Sequence, residues 1–158
     1  MASIYIHIPY CKQACTYCDF HFRIAQKDKI EMLKSIEKEI IERARYLNQQ
    51  KIRSIYFGGG TPSILDDIDI KKILSQIGKN YSIADNAEIT LECNPDDLDE
   101  KKLTSLKNLG INRLSIGIQS FDDADLKFMN RSHNSSEAEN CIHLAKMVGF
   151  KNITIDLI

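Results

Sequence analysis

No apolar run in this sequence approaches the ~20 residues that a membrane-spanning helix requires, which excludes such a helix. Neither sign of charge predominates. The 21 basic and 22 acidic residues leave a formal charge of -1 and no long basic stripe, so there is no general electrostatic reason to expect nucleic acid. Met1-Ala2-Ser3-Ile4 leads straight toward a strand without a basic n-region, so no secretory leader is read there. The five cysteines are odd in number and partly clustered, which argues against a secreted disulfide framework and for a reducing compartment. Linkers, low-complexity stretches and repeats longer than one strand-helix unit are missing too. With 43% hydrophobic and 27% charged residues, a chain of 158 residues can bury a real core. The expectation is a soluble cytoplasmic chain with no membrane span and no nucleic-acid partner.

What is present begins with three cysteines. Cys11, Cys15 and Cys18 stand in a Cys-x-x-x-Cys-x-x-Cys pattern directly after the strand-like run Ile4-Tyr5-Ile6-His7-Ile8-Pro9. Three thiolates hold an iron-sulfur cluster while leaving one iron open to a small molecule, whereas four would close it. Zinc is the competing metal. It prefers four nitrogen or sulfur ligands, and His7 or His21 offers a fourth. The triplet has no second Cys-x-x-Cys knuckle, since Cys93 and Cys141 stand alone in unrelated segments. Iron-sulfur is therefore preferred, with a structural zinc module as the competing reading. Cys93 and Cys141 read as small buried side chains, one beside Leu91 and Glu92, the other on the helix face of Ile142 and Ala145.

Strand and helix alternate along the rest of the chain. β-Branched or apolar runs at Ile4 to Ile8, Ser54 to Phe57, Glu88 to Leu91, Arg113 to Ile118 and Asn152 to Leu157 predict five strands. Ile30, Leu33, Ile36, Ile40, Ala44 and Leu47 recur at helical spacing, with Asp28 and Glu31 set as an N-terminal capping pair. Ile70, Ile73, Leu74 and Ile77 mark a second helix. Leu103, Leu106 and Leu109 mark a third, which Asp99 caps and Gly110 ends. A fourth helical region starts near Asp122, breaks at Ser132 to Ser135 and resumes through Ala138, Ile142, Ala145 and Val148 to Gly149. Such alternation means an α/β fold with parallel strands and crossover helices, closed into a barrel or spread as a doubly wound sheet. Either places functional loops at the carboxyl ends of the strands, and the unusual residues fall there. They are the cysteines, Gly58-Gly59-Gly60-Thr61-Pro62, Glu92 to Asn94, and Gln119-Ser120.

Gly58-Gly59-Gly60 matches neither G-x-G-x-x-G nor G-x-x-x-x-G-K-[ST], so nucleotide phosphate binding is disfavoured. It serves either as a sharp strand-to-helix turn or as bare backbone against which a zwitterionic amino-acid moiety lies, with Thr61 adding a hydroxyl.

The segments YIHIPYCKQACTYCDF, IYFGGGTP, ITLECNPDDL, NRLSIGIQSFDDADLKFMNRSHN and NITIDLI resemble the radical S-adenosylmethionine proteins of the oxygen-independent coproporphyrinogen III oxidase group, almost end to end. The resemblance implies that Cys11, Cys15 and Cys18 bind three irons of a 4Fe-4S cluster, with the amine and carboxylate of S-adenosylmethionine on the fourth. Reductive cleavage of a carbon-sulfur bond to methionine and a 5′-deoxyadenosyl radical is the chemistry it implies. By motif position, Gly59, Gly60 and Thr61 resemble the methionine-binding turn and Tyr17 the aromatic beside the adenine. Tyr5 and Glu92 resemble further ligand contacts, Gln119 and Asp156 the ribose-hydroxyl ligands, and Arg131 the partner of the methionine carboxylate. Tyr5 also reads as strand packing, and Arg131 as an ordinary surface ion-pair partner.

Within that group, the enzymes that decarboxylate coproporphyrinogen III carry an additional cysteine two residues after the third cluster ligand. Here that position is Phe20. The Cys18-Asp19-Phe20 stretch instead resembles the branch regarded as haem chaperones, implying haem or a tetrapyrrole and a haem-acceptor protein as partners. The biosynthetic oxidase is the alternative. The family core is an incomplete, partial TIM-type barrel of six strands, and this chain ends in what counts as the fifth. The expectation is therefore the N-terminal portion, residues 1-158, of a single core domain in a longer parent. The family's His-Asn-x-x-Tyr haem motif is not supplied by His133-Asn134, which Ser135, Ser136 and Glu137 follow. Haem binding is thus expected of the full-length parent.

Overall fold

In the computed structural model, which describes residues 2–158, alternation becomes one five-stranded sheet, parallel throughout, in the order β1-β2-β3-β4-β5. The strands are β1 (Ala2–Ile8), β2 (Ile52–Gly59), β3 (Ile83–Cys93), β4 (Arg113–Gln119) and β5 (Asn152–Leu157). Between them run α1 (Lys29–Glu42), α2 (Asp67–Asn80), α3 (Glu100–Asn108), α4 (Asp123–Phe128) and α5 (Ser135–Val148), with short 3-10 turns at Pro62–Ile64 and Pro95–Asp97. Consecutive strand order decides between the two expected arrangements. A doubly wound sheet reverses its order at a switch point, whereas these strands follow one another like the staves of a partial barrel.

Right-handed crossovers in that order lay the helices on one face of the sheet. Alternation along β1 shows how the two faces divide: Ile6 and Ile8 are buried while Ser3, Tyr5 and His7 are exposed. Ile55, Phe57, Leu91, Leu114, Ile116 and Ile118 join Ile6 and Ile8 in the core. From the helices come Leu33 and Ile40, Ile70, Ile73 and Ile77, Leu103 and Leu106, and Ala138, Cys141 and Ala145, the last two groups spaced by three or four. The other face is polar, and its side chains bond from strand to strand, in one case from β5 past β4 to β3. Ser54 Oγ donates to Ser3 Oγ at 2.8 Å, Arg113 reaches Glu88 at 3.2 Å and Thr154 at 3.0 Å, and Asn152 reaches Glu88 at 3.1 Å. A closed barrel filled by branched aliphatic side chains looks different.

The sequence signals at the helix ends are mostly realised. Asp99 accepts from the Lys102 N–H at 2.6 Å, and Gly110 and Gly149 both take the left-handed φ of +94° that suits glycine after a helix. Asn134 and Glu137 form a full capping box on α5. The expected Asp28–Glu31 pair does not form. Asp28 sits at the start of α1 without capping it, because its carboxylate accepts from Tyr10 Oη at 2.8 Å and pairs with Arg23 at 2.5 Å. The first helix also ends earlier than its apolar spacing suggests, at Glu42, leaving Leu47 in the turns that follow. Strand β2 extends through Gly59, so two residues of the glycine run belong to the strand. Among the described residues no helix is long and apolar enough to cross a membrane.

Candidate functional site

Parallel pairing brings all five carboxyl strand ends to one rim, where they surround a cavity of about 170 Å³. Cys11, Cys15, Tyr17 and Cys18 reach it from the loop after β1. Gly59, Gly60 and Thr61 come from the end of β2, Glu92 from β3, Gln119 from β4, Arg131 from the segment after α4, and Asp156 from β5. Residues up to 145 positions apart in the chain thus meet at one place. Tyr5, expected as a further ligand contact, is not among the residues lining the cavity. It is 59% exposed, stacks on Tyr56 at a centroid distance of 6.0 Å, and shares a 3.2 Å hydrogen bond with His7.

The glycine turn is locked from behind. Gly59 N–H donates to Glu92 Oε2 at 3.0 Å, Gly60 N–H to the Ile8 carbonyl at 2.8 Å, and Thr61 N–H to the Tyr10 carbonyl at 2.7 Å. Glu92 is itself held by Tyr56, whose hydroxyl donates to Oε1 at 2.7 Å. Burial, and then the Glu92 carboxylate, push the Tyr56 pKa up to about 12, so the phenol stays a proton donor. With its N–H groups spent internally, the turn has no backbone donor left for a ligand, which suits a cationic amine better than an anion. Gly59 has φ +114°, and a Cβ on Gly60 would lie 2.7 Å from the Tyr10 carbonyl oxygen and 3.0 Å from Cys11 Sγ. Both positions therefore require glycine.

The three cysteines are partly exposed free thiols. Burial raises the Cys11 pKa, while Thr61, whose hydroxyl donates to Cys11 Sγ at 3.4 Å, pulls it back. Cys18 N–H donates to the Cys15 carbonyl at 3.2 Å, which tightens the loop between the last two thiols. Arg131 Nη1 stands 3.2 Å from both Cys15 Sγ and Tyr17 Oη, and Nη2 donates to Asn94 Oδ1 and the Gly117 carbonyl at 2.8 Å each. Its Nε is buried and has no partner among the described residues. Nor does Arg131 form an ion pair among them, so the surface ion-pair reading does not apply. Burial pushes the Tyr17 pKa up to about 12 against the opposing pull of Arg131.

Among the described residues no three His, Cys, Asp or Glu side chains converge on a point where a single ion would sit. His7 and His21 lie against each other at 6.5 Å between ring centroids, and neither lines the cavity. An open ring of three soft thiolates is the donor set of a multi-iron cluster. The unpartnered Arg131 Nε and the donor-free glycine turn are complementary to the carboxylate and amine of an amino acid. The residues present therefore fit both groups that the motifs imply.

Tyr56, Gly117 and Asn130 escaped sequence reading, and Asn94 and Gln119 were read as strand-end residues without the roles or backbone that the structure gives them. Tyr56 supports Glu92 only because β2 and β3 pair in the observed register, Tyr56 beside Thr90. Asn94 orients Arg131 from a separate strand end. Gly117 had a signal, a glycine inside an apolar strand, which marks close approach. A Cβ there would lie 2.9 Å from Gln119 Nε2 and 3.4 Å from Arg131 Nη2. Gln119 takes a left-handed φ of +67° after the register shift at the end of β4, a strained conformation for a residue other than glycine. Asn130, also left-handed at φ +55°, ties the segment after α4 to the cysteine loop.

A model of the Radical SAM superfamily matches residues 5–158. The chain is 38% identical over 161 residues to the heme chaperone HemW of Haemophilus influenzae, covering 98% of this chain and 42% of that protein. It is likewise 38% identical over 159 residues to the heme chaperone HemW of Bacillus subtilis, covering 99% of this chain and 42% of that protein. The solved structure of coproporphyrinogen III oxidase (HemN) from Escherichia coli, described as a radical SAM enzyme, superposes with a TM-score of 0.90 at 29% identity. That match covers 98% of this chain and 36% of the oxidase. The chain thus spans about two fifths of the length of the curated relatives it matches.

Proposed function

The chain belongs to the radical SAM superfamily, and on that premise we propose that it is the N-terminal part of the core of a haem chaperone-like protein binding a 4Fe-4S cluster and S-adenosylmethionine. The observation that carries the cofactor reading is the cavity itself, where three thiols, a donor-free glycine turn and an unpartnered guanidinium nitrogen face one another. In this reading Cys11, Cys15 and Cys18 hold the cluster. Gly59 and Gly60 receive the amine of S-adenosylmethionine, Arg131 its carboxylate, Gln119 and Asp156 the ribose hydroxyls, and Tyr17 the adenine. Glu92 contributes by fixing the glycine turn, and Tyr5 by packing on Tyr56. When bound, the cluster and S-adenosylmethionine supply reductive carbon-sulfur cleavage, and the protein holds, orients and shields them.

The haem assignment rests on likeness to proteins named heme chaperones and on Phe20, which lines the cavity at the position where decarboxylating enzymes carry a cysteine. Phe20 has no thiol and no hydrogen-bond donor. Haem or another tetrapyrrole and a haem-acceptor protein are the partners proposed, in the cytoplasm, where five free thiols stay reduced. The close superposition on coproporphyrinogen III oxidase favours a second reading, oxidative decarboxylation of coproporphyrinogen III.

The test uses the full-length protein that carries this chain. Anaerobic reconstitution is expected to load about four irons and four sulfides, and Cys15→Ala to abolish loading. Haem titration should give a saturable spectral change. Assays with coproporphyrinogen III, S-adenosylmethionine and an electron donor should yield no vinyl product. Tight stoichiometric zinc in place of iron would restore the structural-zinc reading, and a cluster that assembles normally in Cys15→Ala would overturn the cluster assignment. Multiple turnovers of decarboxylation would promote the oxidase and leave the cluster assignment standing.

A further inference from the structure

The loop that carries the cysteines has little regular structure, yet it must keep three thiols at fixed mutual positions. Its order comes from across the molecule. Gln13 Nε2 donates to the Asn130 carbonyl at 2.6 Å, and Asn130 Nδ2 donates back to the Ala14 carbonyl at 2.6 Å. Beside this reciprocal pair, Thr16 N–H donates to the Met129 carbonyl at 3.1 Å and Thr16 Oγ1 to the Phe128 carbonyl at 3.2 Å. A helix end leaves its last carbonyls without intrahelical partners. Here the cysteine loop supplies donors to the carbonyls of Phe128, the last residue of α4, and of Met129 and Asn130 just beyond it.

Asn130 makes the arrangement work. Its φ of +55° is a conformation that glycine, asparagine and aspartate adopt most readily. That turn sends the Asn130 amide to Ala14 while directing the next residue, Arg131, to within 3.2 Å of Cys15 Sγ. On the neighbouring side Lys12 pairs with Asp96 and Asp97, and Ser132 donates to Asp96 at 2.8 Å, so the cysteine loop and the segment after α4 share a second anchor. Burial acts to raise the Asp96 pKa, but the bonds from Lys12 and Ser132 hold it below the usual value, so that anchor stays ionised.

Building on the cluster reading above, we propose that Asn130 is a positioning residue. By clasping Gln13 and Ala14 it holds the cysteine loop in register with Arg131 and so governs how firmly the loop retains an iron-sulfur cluster. Asn130→Gly keeps the left-handed backbone and the Gln13 bond but removes the amide. Asn130→Asp keeps the shape and sets a carboxylate oxygen against the Ala14 carbonyl. Gln13→Ala cuts the other bond from the loop side.

The experiment compares these variants with wild type in the full-length protein. It measures amide hydrogen exchange of residues 13–18 without iron, iron loss to a chelator after reconstitution, and Tm. Losing one net hydrogen bond should speed loop exchange and iron loss by roughly fivefold in Asn130→Gly and Gln13→Ala at nearly unchanged Tm. Asn130→Asp should exceed both. Wild-type rates of loop exchange in the iron-free variants overturn the clasp, as does acceleration that merely follows a fall in Tm. Failure of the wild-type protein to take up iron sinks the cluster reading instead, while the exchange comparison still decides the clasp.

Discussion

A methyl group on Gly60 would meet main-chain atoms of Tyr10 at 2.7 and 2.9 Å, and main chain does not swing aside as a flexible side chain does. Any substitution there must push the start of the cysteine loop, because Cys11 Sγ is also within 3.0 Å. We expect Gly60→Val to cost about 1–3 kcal/mol by overpacking and to weaken S-adenosylmethionine binding by tenfold or more. Cys141→Ala, buried on α5 away from the rim, should leave affinity at the wild-type value. Calorimetry on the reconstituted protein distinguishes the two, and equal affinities would remove Gly60 from the ligand site. The glycine was conspicuous in the sequence as part of a run. Its reason, a loop folded back against it, was not, since that contact joins residues 50 positions apart.

Helix boundaries were the most legible features at the scale of elements, because a cap is a local bond between residues two or three apart. Asp99 caps α3 as read from its position, and at α5, where the sequence marked only a break at Ser132 to Ser135, the capping box means that Asn134→Ala should cost about 1 kcal/mol in urea unfolding. In α2, a Cβ on Gly78 would meet nothing within 4 Å, so Gly78→Ala should stabilise by about 0.5–1 kcal/mol. An unchanged midpoint in either variant would show that the helix end or interior is not limiting stability. Asp28 marks the limit of such local reading. Its side chain had the right identity and spacing for a cap, but a buried phenol and a guanidinium from the preceding loop offered it stronger partners.

The site is a property of the whole sheet, since every strand end contributes to it and no single element contains it. Ligand binding should therefore stabilise the native state by mass action, by about 2.7 kcal/mol at a hundredfold excess over Kd. S-adenosylmethionine is expected to raise the Tm of the reconstituted full-length protein by a few degrees in scanning fluorimetry. At the same concentration a tenfold weaker site should give Gly60→Val about half that shift or less. A rise of equal size in both proteins would place binding elsewhere.

Periodicity and punctuation in the sequence determined the strand-helix alternation, the parallel sheet, the core positions and the cysteine triplet, because each depends on neighbours a few residues apart or on a fixed spacing. The matching motifs also pointed to the rim as the site. Consecutive strand order, the role of Tyr56, the left-handed turns at Gln119 and Asn130, and the exclusion of Tyr5 from the cavity were decided only by the tertiary structure. Each of these rests on contacts between distant segments: the register of one strand against the next, or a loop docked on a helix end more than a hundred residues later. A single chain does not display such partners until packing brings them together.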